Sequence, residues 1–185
     1  MKKRSTSTQS LLLLVLFLGI FGHASAQEKT FYDLSANTND GTLLHFDVFK
    51  GKKVLVVNTA SQCMLTPQYK KLQELYEEYG GDDFEIIAFP SNDFGKQEPG
   101  TNQEIREFCK QYNVSFTLME KISIKNDSIH PVYKWLTNSE ENGTLDAKVL
   151  WNFQKFMIDT TGHVEDFVGP AGSPFKKRII EWLNE

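Results

Sequence analysis

Two cysteines hold the strongest chemistry in this chain. Cys63 follows the run Val54 to Val57 and lies three residues before Thr66-Pro67. A continuous β-branched and apolar run reads as a strand buried on both faces. Thr followed by Pro reads as a helix start, with Thr as N-cap and Pro at the first helical position. A cysteine between them lies at the carboxyl end of a strand, where open α/β sheets gather their sites. It also faces the positive end of a helix dipole, which favours a thiolate, and the thiolate is the reactive form. The competing reading is structural, because two cysteines in an exported chain commonly form one disulfide. His23, His45, His130 and His163 do not pair at metal-ligand spacing, so neither zinc nor any other cofactor is expected.

The elements that must position these thiols follow from periodicity. Phe31 to Ala36 and Thr42 to Phe49 flank Asn39-Asp40-Gly41, predicting an N-terminal hairpin. Leu44, Phe46 and Val48 alternate as a half-buried strand would. After Thr66-Pro67, the residues Tyr69, Leu72, Leu75, Tyr76 and Tyr79 recur at helical spacing up to Gly80-Gly81, where the helix stops. Phe84 to Phe89 predicts a second buried strand, paired parallel to the first through the helix. Pro90 to Gly100 is a polar loop at that strand's carboxyl end. Thr101 with Glu104 is a capping box, opening a helix on which Ile105, Phe108, Cys109 and Tyr112 share a face. A short helix around Pro131 to Leu136, a hairpin from Phe153 to Ile158 and His163 to Val168, and a last amphipathic helix around Phe175 to Leu183 complete the order. That order predicts an α/β chain with a central mixed β-sheet flanked by helices and an N-terminal β-hairpin, in the class of the thioredoxin-like fold.

Three segments carry a more specific signal. Asn58 to Thr66 (NTASQCMLT) resembles the active-site segment N-V-A-S-x-C-G-x-T of the glutathione peroxidase family. Phe89 to Gly100 (FPSNDFGKQEPG) is similar to that family's F-P-C-N-Q-F-G-x-Q-E-P-G loop, and Trp151 to Phe156 (WNFQKF) to its W-N-F-x-K-F block. Three blocks in order are far more specific than any one. The departures are Thr59 for Val, Met64 for Gly, Ser91 for Cys and Asp93 for Gln. Met64 is expected to narrow access to Cys63 or shift the local backbone, and Asp93 to add negative charge near the site. Ser91 removes a thiol common in that loop.

The resemblance implies a thiol peroxidase with a catalytic tetrad of Cys63, Gln97, Trp151 and Asn152. Two amides and an indole all offer N–H donors. Hydrogen bonds to a charged group are worth roughly 1.5–3 kcal/mol each, so two would favour the anion by roughly two powers of ten or more. Attack on a peroxide leaves a sulfenic acid on Cys63 that condenses with a second thiol. By resemblance Cys109 is the resolving cysteine of members recycled by thioredoxin, which requires its helix to unfold locally. A thioredoxin-like protein, or else a small thiol, is the implied reductant. Glutathione itself is less favoured, since no basic cluster lies near Cys63 in the sequence. A short segment from Thr137 to Val149, where tetrameric members carry an insertion, implies a monomer.

Other readings lack their residues. A thiol–disulfide reductase needs Cys-x-x-Cys, and Thr66 stands at the second position. A peroxiredoxin needs Pro and Thr ahead of its cysteine, and Val56 and Ala60 stand there. An exported, non-catalytic thioredoxin-fold module with a structural disulfide is the remaining alternative.

Lys2, Lys3 and Arg4, the apolar run Leu11 to Phe21, and Ala24-Ser25-Ala26 predict a cleavable signal peptide over residues 1–26. The alternative is an uncleaved anchor, though that run is short for a bilayer span. Residues 27–185 are expected to form one glutathione peroxidase-like domain, periplasmic or secreted. Losing three basic residues takes the net charge from −4 to −7. An acidic body without a basic stripe disfavours nucleic acid and anionic membranes as partners.

Overall fold

The structure, a computed structural model, describes residues 29–185. The predicted export segment, residues 1–26, lies outside the described residues. The sheet that organises the domain has five strands in the order β5-β4-β3-β6-β7. These are β3 (Lys53–Thr59), β4 (Phe84–Pro90), β5 (Thr117–Leu118), β6 (Lys155–Ile158) and β7 (Val164–Val168). β3 runs parallel to β4, and β4 to β5, while β6 pairs antiparallel with both β3 and β7. The expected mixed sheet with a parallel centre and an antiparallel edge is present, and the architecture is thioredoxin-like.

Alternation along the central strands builds two cores. Val54, Val56, Ile87, Phe89, Phe156 and Ile158 face one side, against the N-terminal segment and α3 (Pro131–Thr137). Leu55, Val57, Ile86, Ala88 and Met157 face the other, against α1 (Gln68–Tyr79), α2 (Asn102–Lys110) and α5 (Lys177–Asn184). Each fully buried aliphatic side chain contributes about 1.5–3 kcal/mol. The double covering explains why these strands read as unbroken apolar runs. Both cysteines belong to the second core.

The N-terminal hairpin is shorter than expected. Only β1 (Ser35–Asn37) and β2 (Leu43–His45) pair. Phe31–Asp33 and Phe46–Phe49 are single 3₁₀ turns. In that geometry residues three apart share a face, so Phe46 and Phe49 both turn inward while Val48 is left exposed. Phe31 and Phe46 then stack at 4.7 Å between ring centroids. Core packing of two aromatics wins over the strand alternation that the sequence suggests. β5 and α4 (Ser139–Asn142) are too short to leave a periodic signature. Phe153, predicted to open a strand, instead has φ 68°, and β6 begins two residues later.

Candidate active site

Cys63 lies in the turn between β3 and α1, held by backbone geometry on every side. Its N–H donates to Thr66 Oγ1 at 2.9 Å, and that hydroxyl donates onward to Ala60 O at 2.9 Å. Its carbonyl accepts the Thr66 N–H at 3.0 Å. Its Sγ accepts the Leu65 N–H at 3.3 Å, a charge-assisted bond once the thiol ionises. The prediction that Thr66 caps α1 is therefore corrected. The helix begins at Gln68 with no side-chain cap, because the Thr66 hydroxyl is spent on bracing the cysteine turn.

The loop after β4 returns to this turn. Gly95 and Lys96 both take positive φ, 65° and 55°, a reversal that glycine adopts freely. A side chain at Gly95 would also approach the Trp151 ring at 3.3 Å and Gln97 at 3.4 Å. The reversal brings Gln97 O to the Gln62 N–H at 3.0 Å, directly beside Cys63. Asp93, expected to charge the site, points elsewhere. Its Oδ2 accepts from Ser123 Oγ at 2.9 Å and from the N–H groups of Ile124 and Lys125 at 2.6 and 3.0 Å. It staples a neighbouring loop, and those three donors absorb its charge.

Asn58, near the end of β3, clamps the third segment. Its Nδ2 donates to Trp151 O at 3.1 Å, its Oδ1 accepts the Gln154 N–H at 3.0 Å, and its carbonyl accepts the Phe153 N–H at 2.6 Å. These bonds hold Phe153 at its positive φ, a conformation that persists only where surroundings over-determine it. Trp151 is thereby set half-exposed with its ring edge-on to Phe94, 6.0 Å between centroids. Asn152 is fully buried, and its Nδ2 donates to Gln97 Oε1 at 3.0 Å and to Phe94 O at 3.5 Å.

Gln97, Trp151 and Asn152 thus come together on the loops flanking Cys63. Among the described residues none of the three donates to Cys63 Sγ. Asn152, expected as a donor to the sulfur, has its amide N–H groups occupied. It orients Gln97 instead, and among the described residues the Gln97 Nε2 donors have no acceptor, which leaves them to a ligand. Met64, expected to narrow access, is 94% exposed and points out to solvent.

Cys109 lies on the buried face of α2, whose predicted Thr101–Glu104 capping box is present. Both cysteines are free. Burial pushes the Cys109 thiol up to about 11, moderated by Tyr69 and reinforced by Glu98. On its outer side a cleft of about 290 Å³ is lined by Cys109 together with Arg106 and Lys110. These basic residues flank the second thiol, not the first.

Two buried charged residues within the matched blocks were given no role from the sequence. Lys155 is fully buried on the α1 side of β6, with Nζ on Gln68 Oε1 at 2.5 Å, Gly172 O at 2.6 Å and Pro170 O at 3.4 Å. Burial pulls it down to about 7, while three acceptors match the three ammonium protons. The available signal was register: Lys155 shares a strand face with Met157. Glu98, fully buried beside Gln97, is the other.

The glutathione peroxidase family model matches residues 31–137. This chain belongs to the glutathione peroxidase family. It is 47% identical over 137 residues to glutathione peroxidase-like peroxiredoxin 2 of Saccharomyces cerevisiae, covering 73% of this chain and 84% of that protein. It is 42% identical over 154 residues to the chloroplastic phospholipid hydroperoxide glutathione peroxidase 1 of Arabidopsis thaliana, covering 82% of this chain and 65% of that longer protein. The crystal structure of Trgpx in apo form superposes with a TM-score of 0.65 at 34% identity, covering 85% of this chain and 97% of that one. The family member is a peroxidase built on a thioredoxin-like fold.

Proposed function

We propose that this glutathione peroxidase is a thiol peroxidase in which Cys63 reduces hydrogen peroxide or an organic hydroperoxide and Cys109 resolves the resulting sulfenic acid as a disulfide. The reading rests on the Cys63 turn. A sulfur that accepts a backbone N–H, beside a Gln97 amide whose donors are free, is equipped to hold an anion and steady a departing oxygen. The peroxide O–O bond breaks as Cys63 Sγ takes one oxygen, and the other leaves as water or alcohol. Cys109 then attacks Cys63 Sγ, expelling water and closing the disulfide. Both thiols are buried and free, and in this reading α2 opens to let the sulfurs meet. A thioredoxin-like protein or a small thiol then reduces the disulfide, and the cleft against Cys109 offers the way in.

We further infer that the enzyme is exported through residues 1–26, acts as a monomer and serves the response to oxidative stress. The acidic body and the signal-peptide pattern support this. The alternative, a binding module with a structural disulfide, is disfavoured by the membership in a peroxidase family. Cys63→Ser should lower peroxide consumption to the buffer rate. Cys109→Ser should consume one equivalent at the parent rate, retain a dimedone-reactive sulfenic acid, and lose turnover with thioredoxin. A Cys63→Ser protein that still clears peroxide overturns the reading.

A further inference from the structure

Glu98 is a buried charged group beside the nucleophile with no assigned work. It is fully buried, and its N–H is anchored on Asn92 Oδ1 at 2.9 Å. Its Oε1 accepts the Ser61 hydroxyl at 2.7 Å, two residues before Cys63. Its Oε2 is buried with no partner among the described residues. A carboxylate oxygen left so is costly, and its retention asks for a reason. Thr59 Oγ1 and Tyr69 Oη are in the same condition. The Tyr69 hydroxyl lies beside Thr59 and Cys109, and both Tyr69 and Cys109 feel the Glu98 charge. Three unpaired oxygens thus lie buried in the region between the Cys63 turn and the Cys109 thiol of α2. A cleft of about 350 Å³ lined by Ser61, Gln62, Glu98, Gly100, Glu104 and Phe108 adjoins it.

We propose that Glu98 carries the proton of the resolving step, taking it from Cys109 Sγ as that sulfur attacks Cys63 and passing it to the hydroxyl that leaves as water. This rests on the Cys63–Cys109 couple proposed above. The Cys109 sulfur supplies the electron pair for the new S–S bond, and the Cys63 S–O bond breaks with its pair on oxygen. Cys109 is oxidised, the Cys63 sulfur is reduced, the transferred proton completes the water, and Glu98 returns to carboxylate. No outside electron donor is needed.

The local chemistry supports the assignment. A Cys109 thiol at about 11 cannot ionise unaided near neutrality, and burial raises Glu98 toward it as a better acceptor. The groups around Glu98 are Ser61 from the cysteine turn, Tyr69 from α1, Cys109 from α2 and Lys121 after β5, with Glu104 of α2 lining the same cleft. Glu104 is engaged in capping α2 through Thr101, and Lys121 Nζ rests on the Gly100 and Glu98 carbonyls at 2.5 and 3.4 Å. Glu98 is also fixed to the cysteine turn, so it stays beside Cys63 when α2 opens.

The test is rapid mixing of the reduced full chain with one equivalent of hydrogen peroxide, following sulfenic acid and disulfide separately by quenched mass spectrometry. Glu98→Gln preserves shape and the Ser61 contact. It should slow disulfide closure about 10²-fold at pH 7, with the slowing confined to that second step. Closure in the variant should then rise tenfold per pH unit toward about 11, while the parent stays flat above the Glu98 carboxyl range. Parent closure rate and pH profile in the variant would overturn the proposal, as would equal slowing of both steps, yet leave the cysteine couple standing. Absence of any disulfide in the parent overturns both. Ser61→Ala, a milder change, removes the hydroxyl that donates to the Glu98 carboxylate. It should move the acid limb of closure to higher pH, and an unmoved limb would count against Glu98.

Discussion

The two cysteines are almost equally hidden, 6% exposed at Cys63 and 3% at Cys109, yet their surroundings differ in kind. Cys63 lies in a turn braced through the Thr66 hydroxyl, with the Leu65 N–H on its sulfur. Cys109 lies on an apolar helix face among Ile105, Tyr69 and Phe116, where burial penalises its anion. Buried area alone would rank them together. What separates them is whether donors were arranged before the charge appears. One sulfur already accepts a backbone N–H, and the other is held neutral by burial. Under the proposed Cys63–Cys109 couple, a second thiol that stays neutral does not compete with Cys63 for peroxide, and the two steps keep their order.

Alkylation should show the contrast most strongly. With its thiol at about 11, about one Cys109 in a thousand is a thiolate at pH 8. In the native reduced protein, iodoacetamide at pH 8 should label Cys63 first and Cys109 at least ~10²-fold more slowly than an unfolded thiol. Cys109 labelling should then climb tenfold per pH unit toward about 11. Equal labelling of both sites at pH 8 would erase the distinction between the two surroundings.

Lys155 supplies the next largest effect, on stability. Its folded value is depressed to about 7, so between there and roughly 10.4 the unfolded chain binds more protons. Stability should therefore rise with pH across that window, by a few kcal/mol at most. Below it the cost of the buried ammonium is fully present. The three oxygens on Nζ favour the charged form and make the smaller end of that range the better expectation. Urea unfolding of the parent and Lys155→Met at pH 6 and pH 9 measures it. The variant should lose the rise, and a parallel pair of curves would show that Lys155 titrates alike in both states.

Much of this was legible in sequence, for identifiable reasons. β3 and β4 declared themselves because both faces are covered, and α2 because its Thr101–Glu104 box is purely local. Gln97, Trp151 and Asn152 were found through three short blocks, and their grouping follows from Asn58 and the Gly95-Lys96 reversal. What could not be seen was where each polar atom finds its partner. Asp93 looked like added charge at the site, but the N–H groups of Ile124 and Lys125 claim it. Asn152 looked like a donor to sulfur, but it is bonded to Gln97. Met64 looked like a narrowing of access to Cys63, yet it faces solvent. Each outcome is decided by a residue distant in sequence, which periodicity and local propensity do not register.

The smallest predicted effect concerns Thr66, and it separates two roles for one hydroxyl. As a helix cap, the oxygen need only accept, so Asp would replace Thr without loss. As the brace of the Cys63 turn, it must accept from the Cys63 N–H and donate to Ala60 O, both at 2.9 Å. A carboxylate cannot donate. Thr66→Ser should therefore keep stability within about 1 kcal/mol, whereas Thr66→Val, isosteric but without the hydroxyl, should cost about 1–3 kcal/mol by leaving two buried backbone groups unpaired. Thr66→Asp should fall with Val rather than with Ser, and should also slow the reaction of Cys63 with peroxide by setting a negative charge beside the thiolate. Denaturant midpoints and stopped-flow peroxide rates for the three variants give the order. If Asp matched the parent in both, the hydroxyl would be a helix cap after all, and the preorganisation that distinguishes Cys63 from Cys109 would have to come from the Leu65 N–H and the Gln97 loop alone.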